Sequence, residues 1–173
     1  TQLIFRRFLM INKSLLAVTL LLSILFLLSA DTTAQRVRLR SQISPNCGSS
    51  SNLKFADIYA EGNTAVMGSY NCRGAFIFNI ADADAPTLAN WYNPIRTGTA
   101  STTEQFLEAI VVNDRGYFGS GNGGGVYIVD LSNPASPQLL GVVNSSNGNA
   151  FNSIHEMVVF EQNGATYLIE NFN

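Results

Sequence analysis

Three acidic residues occupy one position of a repeated pattern and are the first candidates for chemistry. Asp57, Glu108 and Glu156 each lie at the start of a short run of strand-forming residues. Carboxylate oxygens suit a hard cation such as Ca²⁺, which takes about six to eight oxygen ligands. One carboxylate per repeat is sparse for that role. A second interpretation therefore stays open, in which these residues are solvated or accept hydrogen bonds from backbone N–H groups.

The other reactive side chains do not form a recognisable catalytic group. His155 is the single histidine, and the two cysteines are too few for a Cys₄ zinc site. A general base needs a partner within hydrogen-bond distance, and the sequence places no nucleophile near His155. No G-x-S-x-G elbow occurs. We therefore predict no catalytic residues and no cofactor, with Ca²⁺ the one ion left open.

Residues 119–124 read Gly-Ser-Gly-Asn-Gly-Gly, which is a literal G-x-G-x-x-G. A dinucleotide site requires a helix directly after this pattern, because the helix N-terminus receives the pyrophosphate. Here the segment 126–129 follows, and its β-branched and aromatic residues indicate a strand. We interpret the glycines as a hairpin loop.

Cys47 and Cys72 are the two cysteines of the chain. An even number of cysteines in an exported protein favours a disulfide between them. Two buried free thiols remain the alternative.

The first 34 residues have the pattern of a secretory signal peptide. Basic residues precede an apolar run at 15–28, and small residues end at Ala34. This pattern predicts a signal helix cleaved after Ala34, with an uncleaved membrane anchor as the alternative. Met10 is the expected start, so that residues 1–9 precede the natural chain. The protein is accordingly predicted to be secreted, periplasmic or on the cell surface.

The remaining sequence repeats with an offset of 51 positions. Phe55 aligns with Phe106, Pro86 aligns with Pro137, and a third copy begins near Ser153. A period of this size is typical of solenoids and propellers. The predicted organisation is a signal peptide at 1–34, a linker at 35–52, repeats at 53–103 and 104–152, and a partial repeat at 153–173.

Each copy contains four short apolar runs separated by turn residues, and Gly or Pro interrupts every window that could hold a helix. This pattern predicts an all-β fold made of four-stranded, propeller-like blades. The chain has room for about 2.7 copies, whereas propellers close with about four to eight blades. We therefore expect an N-terminal piece of a longer propeller. A ring of assembled fragments and a small stack of blades are the alternatives.

The segment 125–137, Gly-Val-Tyr-Ile-Val-Asp-Leu-Ser-Asn-Pro-Ala-Ser-Pro, resembles the signature of LVIVD-repeat proteins. That resemblance implies a β-propeller exported by bacteria or archaea, often to the cell surface. Within the motif, Asp130 can accept backbone N–H bonds in the turn after its strand. Pro134 and Pro137 fix φ and end strand pairing. The first copy, residues 74–86, matches less closely.

Composition limits the partners. The net charge is −2 and charged residues make up 13% of the chain, so nothing favours a nucleic acid. A membrane is expected to be contacted only through an uncleaved signal segment. The leading hypothesis is a binding or adhesion module for an unknown protein or glycan ligand. The alternatives are a hydrolase or lyase completed by further blades, and a structural unit that polymerises edge to edge.

Overall fold

The computed structural model describes residues 37–95, 102–144 and 153–172. Chain contacts separate a first unit, Thr1–Arg38, from a second unit, Leu39–Asn173. The predicted signal peptide falls in the first unit and lies outside the described residues. Across the described ranges, no helix is long and apolar enough to cross a membrane.

The described part of the second unit is all-β and contains no helix, which confirms the all-β class predicted from the sequence. Its strands form three antiparallel sheets, with orders β1-β2-β3-β4, β5-β6-β7-β8 and β10-β9. The strands are β1 Phe55–Glu61, β2 Thr64–Ser69, β3 Ala75–Asn79, β4 Thr87–Tyr92, β5 Phe106–Val112, β6 Arg115–Ser120, β7 Val126–Asp130, β8 Gln138–Val143, β9 Ile154–Gln162 and β10 Ala165–Phe172.

The two four-stranded sheets are copies of one unit. Every strand of the second sheet begins and ends 51 residues after its counterpart in the first. The strand registers agree as well, since Ala75 pairs with Tyr92 and Val126 pairs with Val143. The third sheet follows the same plan, with β9 longer than β5 and joined to β10 by a two-residue turn.

Successive sheets pack face to face. Because side chains alternate along a strand, β5 directs Ala109 and Val111 toward the first sheet. It directs Ile110 toward the third sheet, where it joins Ile154 and Met157. The second sheet is therefore buried on both faces, and its apolar runs are nearly continuous for that reason.

In both four-stranded sheets, a side-chain oxygen stabilises the turn after the third strand. Asp130 Oδ1 accepts a hydrogen bond of 2.8 Å from the Ser132 backbone N–H, and this bond lowers the pKa of Asp130. In the first sheet, Asn79 Oδ1 accepts an equivalent bond of 2.9 Å from the Ala81 N–H. Asn and Asp both provide such an acceptor. The change from Asp to Asn between the copies therefore preserves the turn.

The prolines of the motif lie after this turn. Pro134 and Pro137 fall between β7 and β8, and Pro137 directly precedes the first residue of β8. Pro86 precedes β4 in the same way. A proline has no N–H to donate to a neighbouring strand, so it marks where pairing of the fourth strand begins.

Replacing Asp130 with Ala removes the acceptor for the Ser132 N–H, and we expect the thermal unfolding midpoint to fall by a few degrees. Asp130→Asn is the matched control, because Asn79 supports the same turn, and it should retain most of the midpoint. Calorimetry of both variants checks this. Equal losses in the two variants would contradict the proposed role of the acceptor.

Candidate functional site

The fold brings together the three acidic residues that share a repeat position. Asp57, Glu108 and Glu156 lie on the first strands of the three sheets, β1, β5 and β9. Strand β5 contacts both β1 and β9. The three residues line one groove of about 430 Å³, together with Tyr70 and His155. We call this feature the acidic groove.

Glu108 is the buried member of the acidic groove, with 8% of its surface exposed. Its carboxyl group is hydrogen-bonded to the Asp57 side chain and accepts a bond from the Met157 backbone N–H. Burial, together with the negative charges of Asp57 and Glu156, raises the pKa of Glu108 to about 7. A carboxyl group that holds its proton near neutral pH can act as a hydrogen-bond donor.

The predicted Ca²⁺ role does not gain support from this arrangement. Within residues 37–95, 102–144 and 153–172, no three His, Cys, Asp or Glu side chains are grouped so that they could hold a metal ion. The bond from the Met157 N–H to Glu108 agrees with the other interpretation, in which backbone groups satisfy the carboxylates. Asp57 and Glu156 are exposed to solvent.

Two rings form one side of the acidic groove. Tyr70 and His155 have ring centroids 6.4 Å apart, and His155 is exposed. The Tyr70 backbone N–H donates to the Lys54 carbonyl at 3.0 Å. At the equivalent place of the second sheet, the Gly121 N–H donates to the Gln105 carbonyl at 2.7 Å. The backbone is thus repeated, but only the first copy supplies an aromatic side chain.

Sequence reasoning did not select Tyr70. The available signal was its departure from the repeat, because Tyr70 aligns with Gly121 inside otherwise matching segments. A difference between copies at a partly exposed loop position indicates a local role that the shared scaffold does not require.

The glycine-rich segment runs from the end of β6 into the hairpin loop before β7, and a strand follows it, as predicted. One of its glycines, Gly124, packs against Glu104, which is fully buried. The Glu104 carboxylate accepts hydrogen bonds from Ser120 Oγ at 2.6 Å and from the Tyr127 hydroxyl at 2.8 Å. A Cβ atom on Gly124 would lie 2.1 Å from Glu104 Oε1. The loop therefore packs around a buried carboxylate.

Cys47 and Cys72 form a disulfide with a Cα–Cα distance of 5.4 Å. Cys72 lies in the loop between β2 and β3 and packs with Phe76 and Phe78 of β3. The bond fixes the segment before β1 to one face of the first sheet. Of the two interpretations that the sequence left open, the structure has the disulfide.

The rings of Trp91 and Tyr92 pack against other aromatic side chains, within the first sheet and across to the second. The Trp91 ring stacks on Phe76 with centroids 5.2 Å apart, and its Nε1–H donates to the Arg73 carbonyl at 2.8 Å. Tyr92 stacks on Phe106 of the second sheet. These contacts join the end of one sheet to its own interior and to the next sheet.

Comparisons with known proteins found no match to this chain. No protein-family model matches it, and neither a curated protein nor a solved structure matches it. The comparisons identify no LVIVD repeat. The function must therefore be argued from the geometry described above.

Gly124→Ala should destabilise the protein by about 2 kcal/mol or more, because the added methyl group would overlap the fixed carboxylate of Glu104. Gly141→Ala is the matched control, since a Cβ atom there would have no neighbour within 4 Å. Chemical denaturation of both variants measures the difference. A small effect at Gly124 would show that the loop can move away from Glu104.

Replacing both Cys47 and Cys72 with Ser should lower the free energy of unfolding by about 3 kcal/mol, because a closed loop of this length restricts the unfolded chain. Denaturation of the double variant measures the loss. Mass spectrometry after alkylation without reduction provides the check on the bond itself. Two alkylated cysteines in the unreduced protein would contradict the disulfide.

Proposed function

We propose that the chain is an exported β-propeller repeat module of the LVIVD kind, which binds a protein or glycan ligand at the cell surface. The disulfide supports export, because such bonds persist in oxidising compartments. The motif at 125–137, and the hydrogen bond from the Ser132 N–H to Asp130 that stabilises its turn, support the assignment to the repeat family. The ligand site that we assign is the acidic groove.

The propeller arrangement is supported by the way one sheet follows another. Strand β5 of the second sheet contacts β1 and β2 of the first, and β9 of the third sheet contacts β5 and β6 of the second. In both cases, the first strand of one sheet contacts the first two strands of the sheet before it. Propeller blades are four-stranded sheets repeated around a central channel. In that arrangement the acidic groove lies beside the channel, where the first strands meet.

The observation that carries the binding proposal is the composition of the acidic groove. Each of three sheets contributes one carboxyl group, and Tyr70 and His155 add two rings on the same lining. Carboxylates accept hydrogen bonds from sugar hydroxyls and pair with basic side chains. An aromatic ring offers a flat apolar surface. The groove therefore suits a sugar or a basic segment of a protein.

A hydrolase or lyase is the second candidate, and the Glu108 environment favours it specifically. The raised pKa of Glu108 lets it donate a proton near neutral pH, and Asp57 provides a second carboxyl group in the same groove. Perturbed carboxyl groups in a cleft are typical of acid–base catalysis. Release of product from chromogenic glycosides, abolished by Glu108→Gln, would select this candidate over the binding module.

Binding to arrays of surface glycans and of Lys- and Arg-rich peptides tests the proposal directly. We expect at least one class of probe to bind, and the double variant Asp57→Asn, Glu156→Gln to weaken that binding at least about 10-fold. Glu161→Gln is the matched control, because Glu161 is an exposed carboxylate of β9 that does not line the acidic groove. Binding by neither array, or binding that survives the double variant, would contradict the assignment.

A further inference from the structure

The contact between the second and third sheets contains a buried acid among like charges. Glu108 of β5 lies between the exposed residues Asp57 of β1 and Glu156 of β9. The stacking of copies makes this unavoidable, because one repeat position is acidic in all three sheets. Three ionised carboxylates at one junction would repel each other.

A hydrogen bond between the Glu108 and Asp57 carboxyl groups, which contributes to the raised pKa of Glu108, can form only when one of the two groups is protonated. Ionised carboxylates only accept hydrogen bonds, so one of the two groups must carry the hydrogen that joins them. Glu108 also accepts the Met157 N–H of β9, which connects it to the third sheet. The same group therefore contacts the first sheet through its side-chain partner and the third through a backbone partner.

The surroundings of Glu108 provide little positive charge to balance the negative charge that it acquires when it loses its proton. Among the described residues that line the acidic groove there is no Lys or Arg, and His155 of β9 is the one basic side chain. Tyr70 adds an aromatic ring to the groove lining from the loop between β2 and β3. On the side of β6, the Cβ of Glu108 packs close to Gly119, where an added Cβ atom would lie 3.2 Å from it.

We propose that this junction is a proton-operated latch, in which the proton shared by Glu108 and Asp57 keeps β9 and β10 docked on the second sheet. Loss of that proton leaves a buried negative charge beside Asp57 and Glu156. Because these charges repel each other, β9 then separates from the second sheet more readily. The separation would expose the apolar contacts of Ile110 and Ile154. This inference concerns the stability of the fold and does not depend on the ligand proposed above.

The direction of the pH effect follows from Glu108. Its pKa in the folded protein, about 7, lies above its ordinary value of 4.5, so the folded state binds the proton more tightly than the open state does. The stabilisation is complete below about pH 4.5, declines as the pH rises to about 7, and is lost above that. We therefore expect docking of the third sheet to weaken from mildly acidic to neutral pH.

Hydrogen exchange of the β9 and β10 amides, corrected for the intrinsic effect of pH, tests the latch. We expect protection to fall at least about 10-fold between pH 5 and pH 7.5 in the parent protein. Glu108→Gln keeps a hydrogen-bond donor without a titrating proton and should reduce this change to less than about 2-fold. Glu161→Gln, an exposed carboxylate on the same strand, should behave like the parent.

Asp57→Asn is a second variant, which removes one neighbouring charge without altering Glu108. It should move the fall in protection to lower pH. A parent protein with flat protection, or a Glu108→Gln variant that retains the full decline, would overturn the latch. Failure of the ligand arrays would leave this result untouched, so the two proposals fail separately.

Discussion

The constraint on which the rest of the structure depends is that the second sheet has two apolar faces, and both must be covered. The second sheet directs Ala109 toward one neighbour and Ile110 toward the other, and both residues are buried. Burial of apolar surface is the main favourable term in folding, so the second sheet is stabilised by the sheets that pack on both of its faces. Stacking of equivalent faces then fixes the position of every first strand.

Stacking also explains the acidic groove. When copies of one sheet pack in the same way, residues at one repeat position become neighbours, whatever their charge. At most positions this places apolar residues together. At Asp57, Glu108 and Glu156 it places acids together, and burial of the middle one makes the junction sensitive to protons. The site is thus a product of the repeat, and Tyr70 is what the first copy adds to it.

Much of this could be predicted from sequence, because the repeat carries the information. An offset of 51 positions located the strands of two sheets, and the two cysteines allowed only one intramolecular pairing. The burial of Glu104 could not be predicted, since Leu53 occupies its place in the first copy and no pattern marks it. The shared proton could not be predicted either, because it depends on which carboxyl group becomes buried.

Cross-strand and inter-sheet nuclear Overhauser effects would test the central claim, the equivalent stacking of repeated sheets. The account predicts contacts at matching positions, from Val66 to Ile77 and from Tyr117 to Ile128 within sheets. It also predicts contacts between the rings of Tyr92 and Phe106, which join the first two sheets. A register shifted by one residue in either sheet, or no contact between those rings, would contradict it.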